Sequence, residues 1–343
     1  MSPIFETQLA NIRRGLSSVE LVYTSHDRWP LSTRSTTTSR PSSFPGGSGG
    51  GGSPRLNVSI LDSSFNPPTL AHLALANTSY PSSFRTPSSI STTNGSSHSH
   101  DHHFHAKLLL LSVRNADKVL KPSDATYPQR LEMMRLFTSS IKPDTIPGNP
   151  DHQHQQHLHD PNVAVAIIDE PTFVGKSQIL LDFLRKRLSS VDVDGGEGNM
   201  TTTTTTSIKD WDPKLTFLLG VDTLERLFSP RYYLSPEVME RSLNHFLSPE
   251  GDDSHIICAR RVTPGSEEHD AERERNAIAQ AQSFFDSNRI TMVDIDKDVV
   301  AFSSSEVRNA IAKRNDSSWT RMLTPPVAKY VSEQHLYQDL YTV

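Results

Sequence analysis

The sequence predicts a single α/β domain: a mostly parallel β-sheet covered by helices on both faces, with polar low-complexity insertions in its loops. Three observations carry that expectation. Short apolar runs suited to buried strands alternate with segments of helical periodicity, the pattern of a parallel sheet with helical crossovers. The polar stretches fall between these elements and not inside them. An apolar strand near residue 60 feeds a tight turn and then a helix, the unit by which such sheets present backbone N–H groups to phosphate.

Strands are expected at 58–61, 107–112, 163–168, 215–219, 255–259 and 290–293, each a short apolar run. Helices are expected at 70–78, 127–138, 177–188, 236–246, 271–285 and 304–313. Within 130–137 and 179–188 the apolar residues recur at helical spacing. Between the elements, 32–53 is Ser/Thr-rich and ends in glycines, and 86–105 is Ser-rich and then His-rich. The stretch 142–161 carries prolines and histidines, 191–207 holds six consecutive threonines, and 263–270 is polar. None can bury enough apolar surface to offset the entropy of ordering, so all are read as loops or disordered insertions. Residues 1–54 are expected to be an N-terminal extension with a Ser/Thr/Gly-rich linker, and 55–343 the domain.

Bulk properties narrow the function classes. The formal net charge is −5, which argues against a nucleic-acid binder with a basic face. The single cysteine, Cys258, cannot form an internal disulfide and reads as a buried strand residue. No apolar stretch is long enough to cross a bilayer, and the N-terminus lacks the apolar core of a secretory signal. The expectation is a soluble protein of the cytoplasm, or also of the nucleus, with neither nucleic-acid nor membrane partners.

Four stretches could carry chemistry. In the first, Asp62-Ser-Ser-Phe-Asn-Pro-Pro-Thr-Leu-Ala-His72 follows a strand. Ser64, Phe65 and Asn66 line its turn, prolines 67 and 68 suit a helix entry, and Thr69 and His72 share one face of the first helical turn. The positive end of a helix dipole there suits an anionic oxygen. In the second, Ser303, Ser304 and Ser305 precede Arg308 by one helical turn. Ser303 and Glu306 have capping-box spacing, and the hydroxyls, helix N–H groups and guanidinium together suit a polyphosphate. In the third, Gly220 permits close backbone approach and Asp222 could accept from a ribose hydroxyl, or simply cap a helix. In the fourth, Lys118 and Lys121 follow a strand at the edge where α/β sheets bind ligands. Two further patterns carry no site. Gly175-Lys176-Ser177 lacks the upstream glycine of a P-loop, since Glu170 stands there. The His-rich stretches lack paired cysteines, so no built metal centre is expected.

The first two motifs, in this order and at the two ends of the pattern, resemble those of the nucleotidylyltransferase superfamily. Ser64-Phe-Asn-Pro-Pro-Thr-Leu-Ala-His72 is similar to its G-S-F-N-P-x-T/H-x-x-H, and Phe302-Ser-Ser-Ser-Glu-Val-Arg308 to its I-S-S-T-x-V-R. The pairing looks like that of nicotinamide mononucleotide adenylyltransferases, closest to the fungal promoter-of-filamentation type. The run from Gly220 to Tyr233 and the C-terminal helix and tail ending at Tyr337 strengthen the likeness, which spans about residues 18 to 340.

The resemblance implies a Rossmann-like sheet and a reaction in which ATP and nicotinamide mononucleotide give NAD and pyrophosphate, with Mg²⁺ accompanying ATP. It implies catalytic roles for His72, Arg308 and Thr69. It implies an ATP site from Ser64, Phe65, Asn66, Gly220, Asp222, Ser303, Ser304 and Ser305, and no protein metal site. It implies a mononucleotide site from Lys118, Lys121 and Phe173. Ser63 stands where the motif usually has glycine, and Phe173-Val-Gly-Lys176 where the family often has W-x-x-T. The motifs specify chemistry at the α-phosphorus more tightly than the base or the acceptor. A cytidylyltransferase for an alcohol phosphate is therefore an alternative, as is a non-catalytic nucleotide-binding protein on the same fold. A class I aminoacyl-tRNA synthetase would need a K-M-S-K-S loop that this chain lacks.

Overall fold

A computed structural model describes residues 3–32, 54–84, 103–114, 121, 123–144, 161–191, 211–262, 265–313 and 316–338. The glycine run 46–52, the threonine run, the histidine run 151–159 and Lys118 lie outside the described residues.

The expected strands all form: β2 (Arg55–Asp62), β3 (Ala106–Ser112), β4 (Val163–Ile168), β5 (Asp212–Gly220), β6 (His255–Ala259) and β7 (Ile290–Val293). They pair in parallel. A seventh strand, β1 (Val19–Thr24), runs antiparallel beside β4, giving the order β1-β4-β3-β2-β5-β6-β7. The parallel part therefore starts at β2, winds outward through β3 and β4, then returns to the other side of β2 and winds outward through β5, β6 and β7. That is the doubly wound order, and its topological switch point lies between β2 and β5.

Side chains alternate across each strand, so the sheet divides the core into two layers. On β3 and β4, Leu109, Leu111, Val165 and Ile167 enter one layer. Leu108, Leu110, Ala164, Ala166 and Ile168 enter the other. The first layer is covered by α1 (Pro3–Arg13), α2 (Leu70–Ala76), α3 (Tyr127–Thr138), α9 (Ser304–Ala312) and α11 (Pro325–Glu333). The second is covered by α4 (Phe173–Val191), α5 (Val221–Leu227), α6 (Pro236–Leu247) and α7 (Glu267–Gln280). Short helices α8 (Gln282–Asp286) and α10 (Asp316–Trp319) complete the set. Both phosphate-type motifs lead into helices on the same face, α2 and α9, and that placement brings them together.

Three expectations are revised. Helix α1 and strand β1, read from sequence as part of an extension, are built into the domain. Phe5, Leu9 and Ile12 are buried in the first layer, each burial stabilising by about 1.5–3 kcal/mol. Helix α4 begins four residues before the expected start, so Lys176 sits in its first turn. The expected helix 271–285 is two helices, α7 and α8, broken at Ala281. The first starts at Glu267, inside the stretch read as a loop, where Glu267, Glu268 and Asp270 favour a helix N-terminus. No helix among the described residues is long and apolar enough to cross a membrane.

Candidate active site

Strand β2 ends at Asp62, and residues 63–68 turn the chain into α2. The N-cap is Thr69, with extended backbone (φ −114°, ψ 171°), so prolines 67 and 68 precede the cap and do not occupy the first helical position. Phe65 takes a left-handed conformation (φ 46°), uncommon for a bulky residue and the kind of strain that clusters at functional sites. Its ring is fully buried and packs on the His72 imidazole with centroids 5.6 Å apart. The Phe65 side chain therefore takes no place on an ATP-facing surface; this residue can offer its backbone only.

The contacts of His72 define its chemistry. Its Nδ1 accepts from the Thr69 backbone N–H at 3.1 Å and lies 2.8 Å from the Thr69 hydroxyl. A ring nitrogen that accepts from an amide carries no proton in the neutral imidazole, so the proton is on Nε2. Nε2 lies 2.9 Å from Ser63 Oγ and donates to it. Ser63, at the position where the resembled motif has glycine, thus helps to hold the ring. Burial is the cause that pushes the His72 pKa down to about 4, because an imidazolium would lose its hydration here. At neutral pH the group is a hydrogen-bond donor without charge.

This sets a pH expectation. The folded state resists protonation of His72, and of His255, also lowered to about 4 by burial. An unfolded chain takes those protons near pH 6.5. Between pH 6.5 and 4 the unfolded state binds more protons, so stability falls as pH falls, by at most about 1.4 kcal/mol per pH unit for each group. Above pH 6.5 the two groups contribute no slope. Chemical denaturation at stepped pH should give a steeper acid slope for the native chain than for His72→Gln; equal slopes would contradict a half-buried neutral imidazole.

The second motif docks on the first. The Thr69 hydroxyl reaches the Phe302 carbonyl at 3.4 Å, Ser304 Oγ donates to the Pro67 carbonyl at 2.7 Å, and Arg308 Nη1 donates to the Asn66 carbonyl at 2.6 Å. Ser303 caps α9: its hydroxyl accepts from the Glu306 N–H, and its own N–H donates to the Glu306 carboxylate. Arg308 Nη2 donates to Ser305 Oγ at 3.2 Å. The three hydroxyls thus do separate work. Ser303 and Ser304 hold the loop, and Ser305 stands beside the guanidinium. The first-turn N–H groups of Ser304 and Ser305 have no intrahelical acceptor and face an anion's natural place.

No protein-family model matches the chain. Among curated proteins it is similar to a Schizosaccharomyces pombe protein described as "Putative nicotinamide mononucleotide adenylyltransferase", 27% identical over 217 residues. The match covers 62% of this chain and 58% of that relative, so it spans little more than half of the relative's length. Among solved structures it is similar to the nicotinic acid mononucleotide adenylyltransferase of Plasmodium falciparum. The complex with NaAD has a TM-score of 0.37 at 15% identity, covering 82% of this chain and 97% of the other. The complex with APC has a TM-score of 0.35 at 14% identity, covering 82% and 96%. Superpositions this loose decide nothing about the site.

Other expected members of the site fall in less simple places. Gly220 is the N-cap of α5, and a Cβ there would meet nothing within 4 Å, so open space lies beside the carboxyl end of β5. Asp222, expected to offer a free carboxylate, is already paired: its Oδ2 lies 2.5 Å from Arg261 and its Oδ1 2.7 Å from Arg273. A ribose hydroxyl would have to share that carboxylate with two guanidiniums. Asn66 is buried and its amide is spent within the fold. Nδ2 donates to Asp124 at 2.7 Å, and Oδ1 accepts from the Ala125 N–H at 3.2 Å and the Tyr337 hydroxyl at 2.9 Å. Lys121 is exposed beside this cluster, its N–H donating to Asp124. Phe173 is half-buried at the start of α4, edge-on to Phe217 at 5.6 Å.

The sequence reading did not single out Asp124, Arg130 or Tyr337 as site residues, nor the ion pair between Lys176 and Asp62. Lys176 Nζ lies 2.5 Å from Asp62 Oδ2, with side-chain exposures of 5% and 9%, and 5.0 Å from the Phe173 ring centroid. Tyr337 had a signal in the aromatic tail, and Arg130 in a charge within an otherwise apolar helical stripe. Asp124 had none: a loop aspartate in Pro-Ser-Asp-Ala looks like any turn residue.

Proposed function

We propose that the chain transfers the adenylyl group of ATP to nicotinamide mononucleotide, yielding NAD and pyrophosphate. The observation that carries this reading is the direct docking of the Arg308 motif on the His72 motif, at the carboxyl edge beside the β2/β5 switch point. Neutral and cationic donors converge there, the composition a polyphosphate under attack requires. A 5′-phosphate oxygen of the mononucleotide would bond to the α-phosphorus as the bond to the β-bridging oxygen breaks, and pyrophosphate would leave with that electron pair. No covalent enzyme intermediate is involved, so positioning and charge stabilisation carry the catalysis.

His72 would donate its Nε2–H to the α-phosphate as charge builds, with Thr69 fixing the tautomer. Arg308, Ser305 and the first turn of α9 would hold the β- and γ-phosphates, with Ser303 and Ser304 shaping that loop. Ser64 and the backbone of residues 65 and 66 would line the α-phosphate turn, and Gly220 would leave room for the adenosine. Lys121 would face the acceptor phosphate, and Phe173 the pyridine ring. Mg²⁺ would arrive with ATP. No group of three or more His, Cys, Asp or Glu among them is placed to hold a metal, and the nearby carboxylates of Asp62 and Asp124 are engaged with Lys176, Asn66 and Arg130. Bound on phosphate oxygens, the cation would offset developing charge. The similarity to the S. pombe protein described as a "Putative nicotinamide mononucleotide adenylyltransferase" supports the adenylyl donor and the mononucleotide acceptor.

The test is product formation by purified protein with Mg²⁺, nicotinamide or nicotinic acid mononucleotide, and ATP or CTP. A dinucleotide and pyrophosphate should appear with ATP. Product with CTP and an alcohol phosphate, and none with ATP, would replace this reading with the cytidylyltransferase one.

A further inference from the structure

We infer that Asp124 is a positioning residue that holds Arg308 in register for the leaving phosphates. The inference rests on the reading of Arg308 as a phosphate ligand. Asp124 lies in the loop before α3, on a different segment from either motif. Its Oδ1 accepts from Asn66 Nδ2 at 2.7 Å and stands 4.0 Å from Arg308 Nε. Its Oδ2 accepts from the Lys121 N–H at 3.1 Å and stands 3.6 Å from Arg130 Nη2.

The charges explain why the carboxylate matters. Arg130 is buried, its Nε donating to the Ala125 carbonyl and its Nη1 reaching the Ser64 carbonyl at 3.4 Å. Its guanidinium and that of Arg308 repel each other, and Asp124 is the carboxylate standing between them. Burial lowers the Arg130 pKa, and Asp124 opposes that shift without cancelling it. With Asp124 in place, the Arg308 fork is aimed by two bonds, to the Asn66 carbonyl and to Ser305 Oγ. Asn66 in turn is held from its other end by Asp124. Without the negative charge, Arg308 is repelled toward solvent while the turn keeps its shape, because asparagine can still accept from Asn66 Nδ2. One carboxylate therefore sets both the direction of the guanidinium and the turn it leans on.

The kinetic signature differs from that of a structural residue. Removing a negative charge beside a phosphate site adds no repulsion toward ATP, so a loss must come through a misdirected Arg308, which holds the phosphates and stabilises the leaving pyrophosphate less. Asp124→Asn should lower kcat by about tenfold or more with native thermal unfolding. In an Arg308→Lys background the same substitution should lower kcat by less than about twofold further, since the fork it would misdirect is gone. Equal effects of Asp124→Asn in both backgrounds would overturn the inference, as would an unchanged kcat. The same four proteins are titrated with inorganic pyrophosphate by calorimetry, which needs no turnover. A change of about threefold or more in affinity that vanishes in the Arg308→Lys background supports the inference even if no dinucleotide is ever made, in which case only the proposed reaction fails. Additive effects on both turnover and pyrophosphate binding would remove Asp124 from this role.

Discussion

Replacing His72 by alanine is expected to lower kcat by about 10²–10³-fold, the usual loss for one donor aimed at developing charge, and to leave ATP binding near its native level. The asymmetry follows from geometry. The Nε2–H rests on Ser63 Oγ in the free protein, so ground-state phosphate must compete for it. Only an α-phosphate gaining charge makes the exchange strongly favourable. His72→Gln tests the same idea, since its amide can donate but has no ring nitrogen for the Thr69 N–H to lock. It should retain part of the activity and vary with Thr69. Steady-state kinetics with ATP, alongside equilibrium ATP binding, separates the two terms. Near-native turnover in His72→Ala would remove the imidazole from the mechanism. A parallel loss of ATP affinity would make it a ground-state ligand instead.

Lys176→Met is expected to destabilise the fold by about 3–5 kcal/mol, because it strands the Asp62 carboxylate in a buried place without its counter-charge. Both side chains are nearly excluded from solvent, so water cannot compensate as it does for a surface pair. Asp62 ends β2 and immediately precedes Ser63, so a relaxed Asp62 also loosens the partner of His72. The double variant Asp62→Leu with Lys176→Met should recover most of the loss, since two apolar groups of similar volume replace a buried pair at little net cost. Urea unfolding of the three proteins checks this. A loss below about 1 kcal/mol in the single variant, the range of exposed pairs, would mean the pair is hydrated. No recovery in the double variant would point to a packing role for the lysine stem.

Much of this protein was legible without its structure. The parallel strands 58–61, 107–112 and 163–168 are continuous apolar runs because both faces of a central parallel strand are buried, and that signal is local. The cap at Ser303 was equally legible, since a capping box involves residues three apart. Residues 3–24 were not: β1 is an edge strand whose partner, β4, lies about 140 positions away, and its half-buried pattern is weak by itself. Nor was the use of Asn66, whose motif position suggested a ligand contact but whose amide is consumed by Asp124, Ala125 and Tyr337.

By itself the sequence determined the α/β class, the strand-turn-helix units and the chemical kinds gathered in each motif, because backbone preference, periodicity and capping act over a few residues. Only the tertiary structure decided that α2 and α9 lie on one face with Arg308 on the Asn66 carbonyl. It also decided that the His72 ring is neutral with its proton on Nε2, that Asp222 is paired with Arg261 and Arg273, and that Lys176 neutralises Asp62. Each of these depends on which distant groups share a desolvated space, and Coulomb and solvation energies follow distance and burial, not position along the chain.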